Sequence, residues 1–564
     1  MPTMKTRTRY TVIMTVTVVA LLTLGFLPQE QGRDFRIAKN LDIFFSLFRE
    51  INSFYVDEVD PDKLVRTGIV SMLQTLDPYT VYYPEDEVDD IAFMTTGKYG
   101  GIGAMVRNSG DYAVVTQIYR GFPADLAGIK PGDLLVKVDG KSLKGLSTDK
   151  VSDNLKGDPG TPISVTVERN GTEMSFQLKR ERVAVSPIPY YGMLDDKTAY
   201  IRFTNFTQDC AQDVRNAFTE MKEKYQPAQV ILDLRGNPGG LLNEAADIVN
   251  IFVGPGNEVV STKGKVKQFD SVFKTTRPAV DEVIPLVVLI SRSSASAAEI
   301  VAGAIQDLDR GVVMGQRSYG KGLVQITRPL SYNAQLKVTT AKYYIPSGRC
   351  IQALDFTHRN EDGSVGYIPD SLISEFRTKN GRVVRDGGGI APDIEVVPPM
   401  LSQVATELYV YNHIFDFGTQ YYYKHPDVSS PSDIVIDDSI YDQFRAFLKG
   451  RNFTYRTATA TGLENLIATA KREKYYDLYP DEFAALEARL AINLNKDLDL
   501  FRAEITELLE DEVVERYFYQ EGAMANAATN DSTIIKAIEL LKDRKRYNEI
   551  LSPALHPSVP LIVE

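Results

Sequence analysis

The stretch PLVVLISRSSASAAEIVAGAIQDLDRGVVMGQRSYGKGLVQ, residues 285–325, decides how the rest of the chain is read. Pro285 to Ile290 is an unbroken apolar run, the pattern of a strand buried on both faces. Ser291 to Ser296 is a small-residue turn. Ala297, Ile300, Val301, Ala304, Ile305 and Leu308 then recur at the spacing of an amphipathic helix. A second short apolar run, Gly311 to Gly315, leads to the glycine-flanked Lys321. A serine in a strand-to-helix turn meets the unpaired N–H groups and dipole of a helix start, which favour developing negative charge. That suits a serine nucleophile with an oxyanion hole. The chain's four histidines, His358, His413, His425 and His556, all lie outside this stretch. A lysine serves as base instead if burial lowers its pKa.

SSASAAE followed by YGKGLVQ resembles the active-site signature of the carboxyl-terminal processing (tail-specific) serine proteases. The resemblance implies Ser296 as nucleophile, Lys321 as base and Gln325 as the residue that positions the lysine. The separation, 321 − 296 = 25, is the family's spacing, and Ser293 and Ser294 fall out of register. Asp233-Leu234-Arg235-Gly236-Asn237-Pro238-Gly239-Gly240 resembles the family's glycine turn. It implies Gly240 as one backbone oxyanion donor and Ala297 as the other, with Asp233 and Arg235 a structural pair. No cofactor, metal or nucleotide is implied, since neither a ligand cluster nor a phosphate loop is present.

Length and charge bound what surrounds this centre. A chain of 564 residues is too long for one core. A net charge of −12 argues against a nucleic-acid partner. Two cysteines, Cys210 and Cys350, exclude a disulfide scaffold, and separate thiols are favoured over one bridge. Lys5, Arg7 and Arg9 precede an apolar run from Tyr10 to Leu27, so residues 1–33 read as a signal peptide or signal anchor, the uncleaved anchor being favoured. This places the remainder in the cell envelope on the periplasmic side.

Residues 34–84 show helical spacing punctuated by Asp60-Pro61-Asp62. Residues 85–185 resemble the family's PDZ domain, on Gly100-Gly101-Ile102-Gly103 and the run from Pro123 to Asp133. Outward N–H groups of such a glycine loop hold a terminal carboxylate while the peptide pairs with a strand edge. A PDZ that only gates or docks is the alternative. Residues 186–400 form the protease core, with strands Thr198–Phe203 and Val230–Leu234 flanking a helix Ala211–Lys224, an arrangement that implies parallel pairing. Gln335–Ile345 is a further strand, and 354–388 is expected to be an exposed insertion.

Residues 401–564 carry amphipathic helices, clearest over Asp481–Tyr519 and Ser532–Leu551, and read either as a packed cap or as a dimerisation or adaptor-docking module. The fold expected is multidomain α/β: a ClpP/crotonase-like core, a PDZ domain and helical segments at both ends. The function implied is endoproteolysis of protein substrates with apolar C-terminal tails. An activator or adaptor is a possible partner, as is a second copy through the N- or C-terminal helices. The rival is a non-catalytic or latent PDZ scaffold.

Overall fold

The computed structural model describes residues 31–451, 453–553 and 561–562. The apolar run from Tyr10 to Leu27 lies outside them. No helix among the described residues is long and apolar enough to cross a membrane. The chain divides into two units at Tyr82–Tyr83. In the first, helices Gln31–Phe54 and Pro61–Gln74 flank the expected punctuation. Asp60 accepts from Asp62 N and Lys63 N, and Pro61 opens the helix where its missing N–H costs nothing. Phe35, Leu41 and Phe45 of the first helix remain exposed.

The second unit begins with the PDZ fold. Its strands Ala104–Ser109, Tyr112–Ile118, Leu134–Val138, Pro162–Arg169 and Thr172–Lys179 pair antiparallel. Ile102, Val115, Ile129, Leu135 and Val165 close its core.

The protease core is a seven-stranded sheet. Its strands include β1 (Tyr190–Met193), β2 (Thr198–Arg202), β3 (Gln229–Asp233), β4 (Leu286–Ile290) and β5 (Val312–Gly315), adjacent in that order. β1 is antiparallel to β2, and the others run parallel, as the strand–helix–strand pattern predicts. Helices α1 (Cys210–Tyr225), α2 (Leu242–Val249) and α3 (Ala297–Asp307) cover one face, where Val230, Leu232, Val288 and Ile290 point. Tyr200, Ile231, Val287 and Leu289 alternate to the other face. There they meet Ile534, Ala537, Leu541 and Tyr547 of helices Ser532–Lys542 and Arg544–Ile550. A parallel sheet must be covered on both sides, and here these two helices supply the second cover.

Beyond β5, the hairpin β6 (Leu323–Pro329) and β7 (Gln335–Tyr344) leads away from Lys321.

One expectation needs correction. The span 354–388 is not simply an exposed insertion. Its first hairpin, Leu354–Arg359 with Val365–Tyr367, does reach solvent, but the second, Glu375–Arg377 with Val383–Arg385, is anchored in the core. Buried Arg382 donates to Asp309, to Asp393 and to the Gln306 carbonyl. A lone arginine among polar residues gives no periodic signal, so the anchor was illegible. The pattern over Asp481–Tyr519 is helical, as expected. It breaks into Pro480–Leu490, Leu494–Leu500 and the start of Arg502–Asn530, which is kinked where Tyr519 takes φ 59°.

Candidate active site

β4 is buried along its whole length and delivers the serine turn to the start of α3. The serines of that turn have different tasks. Ser294 accepts from Ser291 N at 2.9 Å and donates to Leu234 O at 2.8 Å, so its buried hydroxyl fastens the turn to the neighbouring strand end. Ser293 is exposed and shares a 3.1 Å hydrogen bond with the Ser291 hydroxyl. Ser296 is the N-cap residue of α3, with φ 54° and ψ −116°, a conformation rarely tolerated by a residue with a Cβ. Such strain persists only where the surroundings over-determine it.

Glu299 supplies that over-determination. Its side chain is fully buried. One carboxylate oxygen accepts from Ser296 N at 2.8 Å and Lys321 N at 2.9 Å. The other accepts from Ser318 Oγ at 2.5 Å and Gly320 N at 2.6 Å. Burial pushes this carboxyl up, the four donors pull it back, and it comes to rest at about 7. One carboxylate therefore ties the serine turn to the lysine loop. Tyr319 N adds a bond to Ser294 O at 3.0 Å. From below, the Tyr343 hydroxyl of β7 donates to Lys321 O at 2.6 Å and lies 3.2 Å from Ser296 O.

The glycine turn after β3 meets the serine turn from the other side. Buried Asn237 accepts Gly239 N at 2.8 Å and donates to Phe203 O at 3.0 Å, and its carbonyl accepts Ala295 N at 3.0 Å. Gly239 has φ +94°, and a Cβ there would lie 2.7 Å from Ser296 Cβ and 2.8 Å from Ala297 N. Only glycine fits so close an approach. Gly240 bridges to Phe206. Among the described residues no acceptor takes the N–H of Gly240 or of Ala297.

At the head of the turn, buried Asp233 binds Arg235 and Arg202, each at 2.7 Å, and accepts from Tyr200. Burial would raise its carboxyl, but the two guanidiniums outweigh burial and hold it at about 2. Asp233 and Arg235 are thus the structural pair expected.

Gln325 lies in β6 just after a bulge, paired with Thr339, whose hydroxyl accepts its side-chain amide at 3.1 Å. The cysteines are separate thiols, as favoured. Among the described residues no cluster of His, Cys, Asp or Glu could hold a metal ion.

The PDZ fold carries a separate groove of about 570 Å³. Gly100 and Ile102 line it with Ala104, Met105 and Leu155, and Phe93 closes one side from the chain's own helix Val88–Thr96. Gly101 instead pairs with Glu181, and the Gly103 carbonyl accepts Tyr119 N, so these two shape the loop without lining the groove.

Profiles of peptidase family S41, a PDZ domain and a probable PDZ-protease C-terminal helical domain match residues 197–359, 114–169 and 404–541. A carboxy-terminal-processing protease of Bartonella bacilliformis is 35% identical over 324 residues, 57% of this chain and 74% of its own length. The chain belongs to the carboxy-terminal-processing proteases of family S41. It is therefore a serine-type peptidase that carries a PDZ domain and acts on peptide or protein substrates. A probable CtpA-like serine protease of Staphylococcus aureus (strain COL) is 33% identical over 344 residues, 60% of this chain and 68% of its own. Among solved structures, the photosystem II D1 C-terminal processing protease is 25% identical with a TM-score of 0.35, covering 64% of this chain and 93% of its own.

Three residues that brace the serine turn were not singled out from sequence. Glu299 had a signal: Ser296 and Glu299 have the S-x-x-E spacing of a capping box. Asn237 lies inside the quoted glycine turn, but its bonds to Phe203 and Ala295, like those of Tyr343, join segments far apart in the chain.

Proposed function

We propose that this protease is an exported endopeptidase working through Ser296 and Lys321. Neutral Lys321 takes the Ser296 hydroxyl proton as the oxygen attacks the scissile carbonyl carbon. The N–H groups of Gly240 and Ala297 stabilise the resulting oxyanion. The C–N bond then breaks as Lys321 returns the proton to the departing amine, leaving an acyl ester on Ser296. Water, deprotonated by Lys321, hydrolyses that ester. Gln325 orients the lysine from the bulged strand.

The observation that carries this reading is Glu299, whose four bonds hold the Ser296 turn and the Lys321 loop as one unit. The PDZ groove receives an apolar C-terminal tail of a substrate or activator, with its carboxylate at the Gly100–Gly103 loop. The N-terminal segment anchors the enzyme in the inner membrane facing the periplasm. The exposed apolar side chains of Gln31–Phe54 suit association with a second copy. A second reading, an enzyme latent until a partner engages, draws on the helix Val88–Thr96, which lines the groove through Ala92 and Phe93.

The test is casein cleavage by the full-length chain beside Ser296→Ala and Lys321→Arg. Both variants should lose activity by more than about 10³-fold with unfolding temperature unchanged, since a guanidinium does not give up its proton. Cleavage surviving in the serine variant would sink the assignment.

A further inference from the structure

The turn that would hold the oxyanion donor is intrinsically loose. Between Leu234 and Leu241 it contains three glycines at positive φ, Gly236, Gly239 and Gly240. Glycine gives up more backbone freedom on ordering than any other residue. A donor must be preorganised to help catalysis, so something outside the turn has to hold it. Asn237 fixes its middle, and Gly239 is wedged against the serine turn.

Its head is held by Arg235, the one long side chain in it. The Arg235 guanidinium reaches Asp233 through Nε at 3.0 Å and one terminal nitrogen at 2.7 Å. The other terminal nitrogen donates to Asp531 Oδ2 at 2.7 Å, across 296 residues of sequence. Asp531 uses its second oxygen differently. Oδ1 accepts Thr533 N at 2.8 Å and Ile534 N at 3.0 Å, capping helix Ser532–Lys542. That helix lies on the second face of the protease sheet, so its N-cap charge arrives at the oxyanion turn on a rigid support. The pair is largely shielded, with side chains 20% and 29% exposed, where a charge-assisted bond keeps much of its strength.

We propose that Asp531 is a positioning residue for the oxyanion turn, so that the C-terminal helices complete the active site. This rests on the reading of Gly240 N–H as an oxyanion donor. Asp531 touches no reacting atom; it acts by holding Arg235, which fixes the head of the turn and, through the turn, the direction of the Gly240 N–H.

The two roles of Asp531 are separable, because asparagine caps helices about as well as aspartate but carries no charge. In the full-length protein, Asp531→Asn should lower kcat about tenfold, less than loss of a whole oxyanion donor. KM should stay within about twofold, and the unfolding temperature should fall by no more than a few degrees, the scale of one charge-assisted bond. Affinity for a peptide aldehyde, whose serine adduct places an oxyanion in the hole, should fall by the same factor. Asp531→Glu should recover part of the loss. If Asp531→Asn proves unstable, Asp531→Ser, another good cap, carries the same expectation. Wild-type kcat and aldehyde affinity in a folded charge-free variant would overturn the proposal, as would losses that track unfolding alone. Ser296→Ala separates the two levels: if it still cleaves, the reading of the site fails. If it is inactive while Asp531→Asn matches the wild type, only the role of Asp531 fails.

Discussion

The serine turn and the PDZ groove both suit a peptide chain, yet they are built in opposite ways. Around Ser296, a strained backbone is locked by a buried carboxylate with four donors, a glycine with no room for a methyl group and a tyrosine from a distant strand. Around the groove, aliphatic side chains and an adjacent short helix line an open space, and Met105 is about half exposed. Chemistry on a carbonyl needs donors held within fractions of an ångström. Recognition of an apolar tail needs area and adaptability, which methionine supplies. The difference predicts that small changes at the first site are severe and that larger ones at the second are graded.

Among changes that leave Ser296 and Lys321 in place, the largest effect should come from Gly239→Ala. Its Cβ would press on Ser296 Cβ, Ala295 O and Ala297 N at 2.7–2.8 Å. Cleavage should fall by about 10³-fold in a steady-state assay, the scale of losing an oxyanion donor. Near-normal turnover would mean that the turn is not rigid. Glu299→Gln comes next. An amide NH₂ would face two donors on one side of the hub, costing on the order of 2 kcal/mol in chemical unfolding. Turnover should drop about 10²-fold, with KM little changed.

The pH response of that hub sharpens the contrast. The Glu299 carboxyl sits at about 7, above the ordinary 4.5 for glutamate. The folded protein therefore binds the extra proton, and this group's contribution to stability is full below about 4.5 and lost as pH rises through about 7. Protonation, however, takes one acceptor away from four donors and slackens the link between Ser296 and Lys321. Activity should therefore fall as pH drops through about 7 while this group's stability contribution grows, a divergence absent in Glu299→Gln. Parallel pH profiles of kcat and unfolding temperature in the wild type would contradict it.

At the groove, Met105→Asp should raise KM about tenfold for substrates with apolar tails and leave tail-less peptides unaffected, consistent with a few kcal/mol at most from one apolar contact. Equal losses on both substrates would make the groove part of the catalytic machinery. The smallest effect belongs to Tyr519→Phe. It removes the hydroxyl bond to Asp125 that docks the PDZ fold on the C-terminal helices. Stability should change by about 1 kcal/mol, the net worth of one hydrogen bond.

Much of this was legible because it is local. An apolar run bounded by a small-residue turn is a buried strand whatever lies around it, and β4 and α3 occupy the expected residues to within one or two positions. The PDZ strands, the crossover helix α1 and the helical punctuation at Asp60-Pro61 were readable for the same reason. The spacing of Ser296 and Lys321 is a property of one continuous segment, and so is the capping-box signal of Glu299.

What sequence order could not supply are bonds between segments with no pattern in common. The chain by itself determined the strands, the glycines at sites of close approach and the chemistry available at 296 and 321. Tertiary structure alone decided that Tyr343 and Asn237 brace the serine turn, that Arg382 anchors one hairpin of an apparently polar insertion, and that helices Ser532–Lys542 and Arg544–Ile550 cover the second face of the sheet. Hydrophobic periodicity reports which side of an element is buried but not which partner buries it. A side-chain ion pair such as Arg235 with Asp531 joins two residues that only the finished fold brings within 2.7 Å.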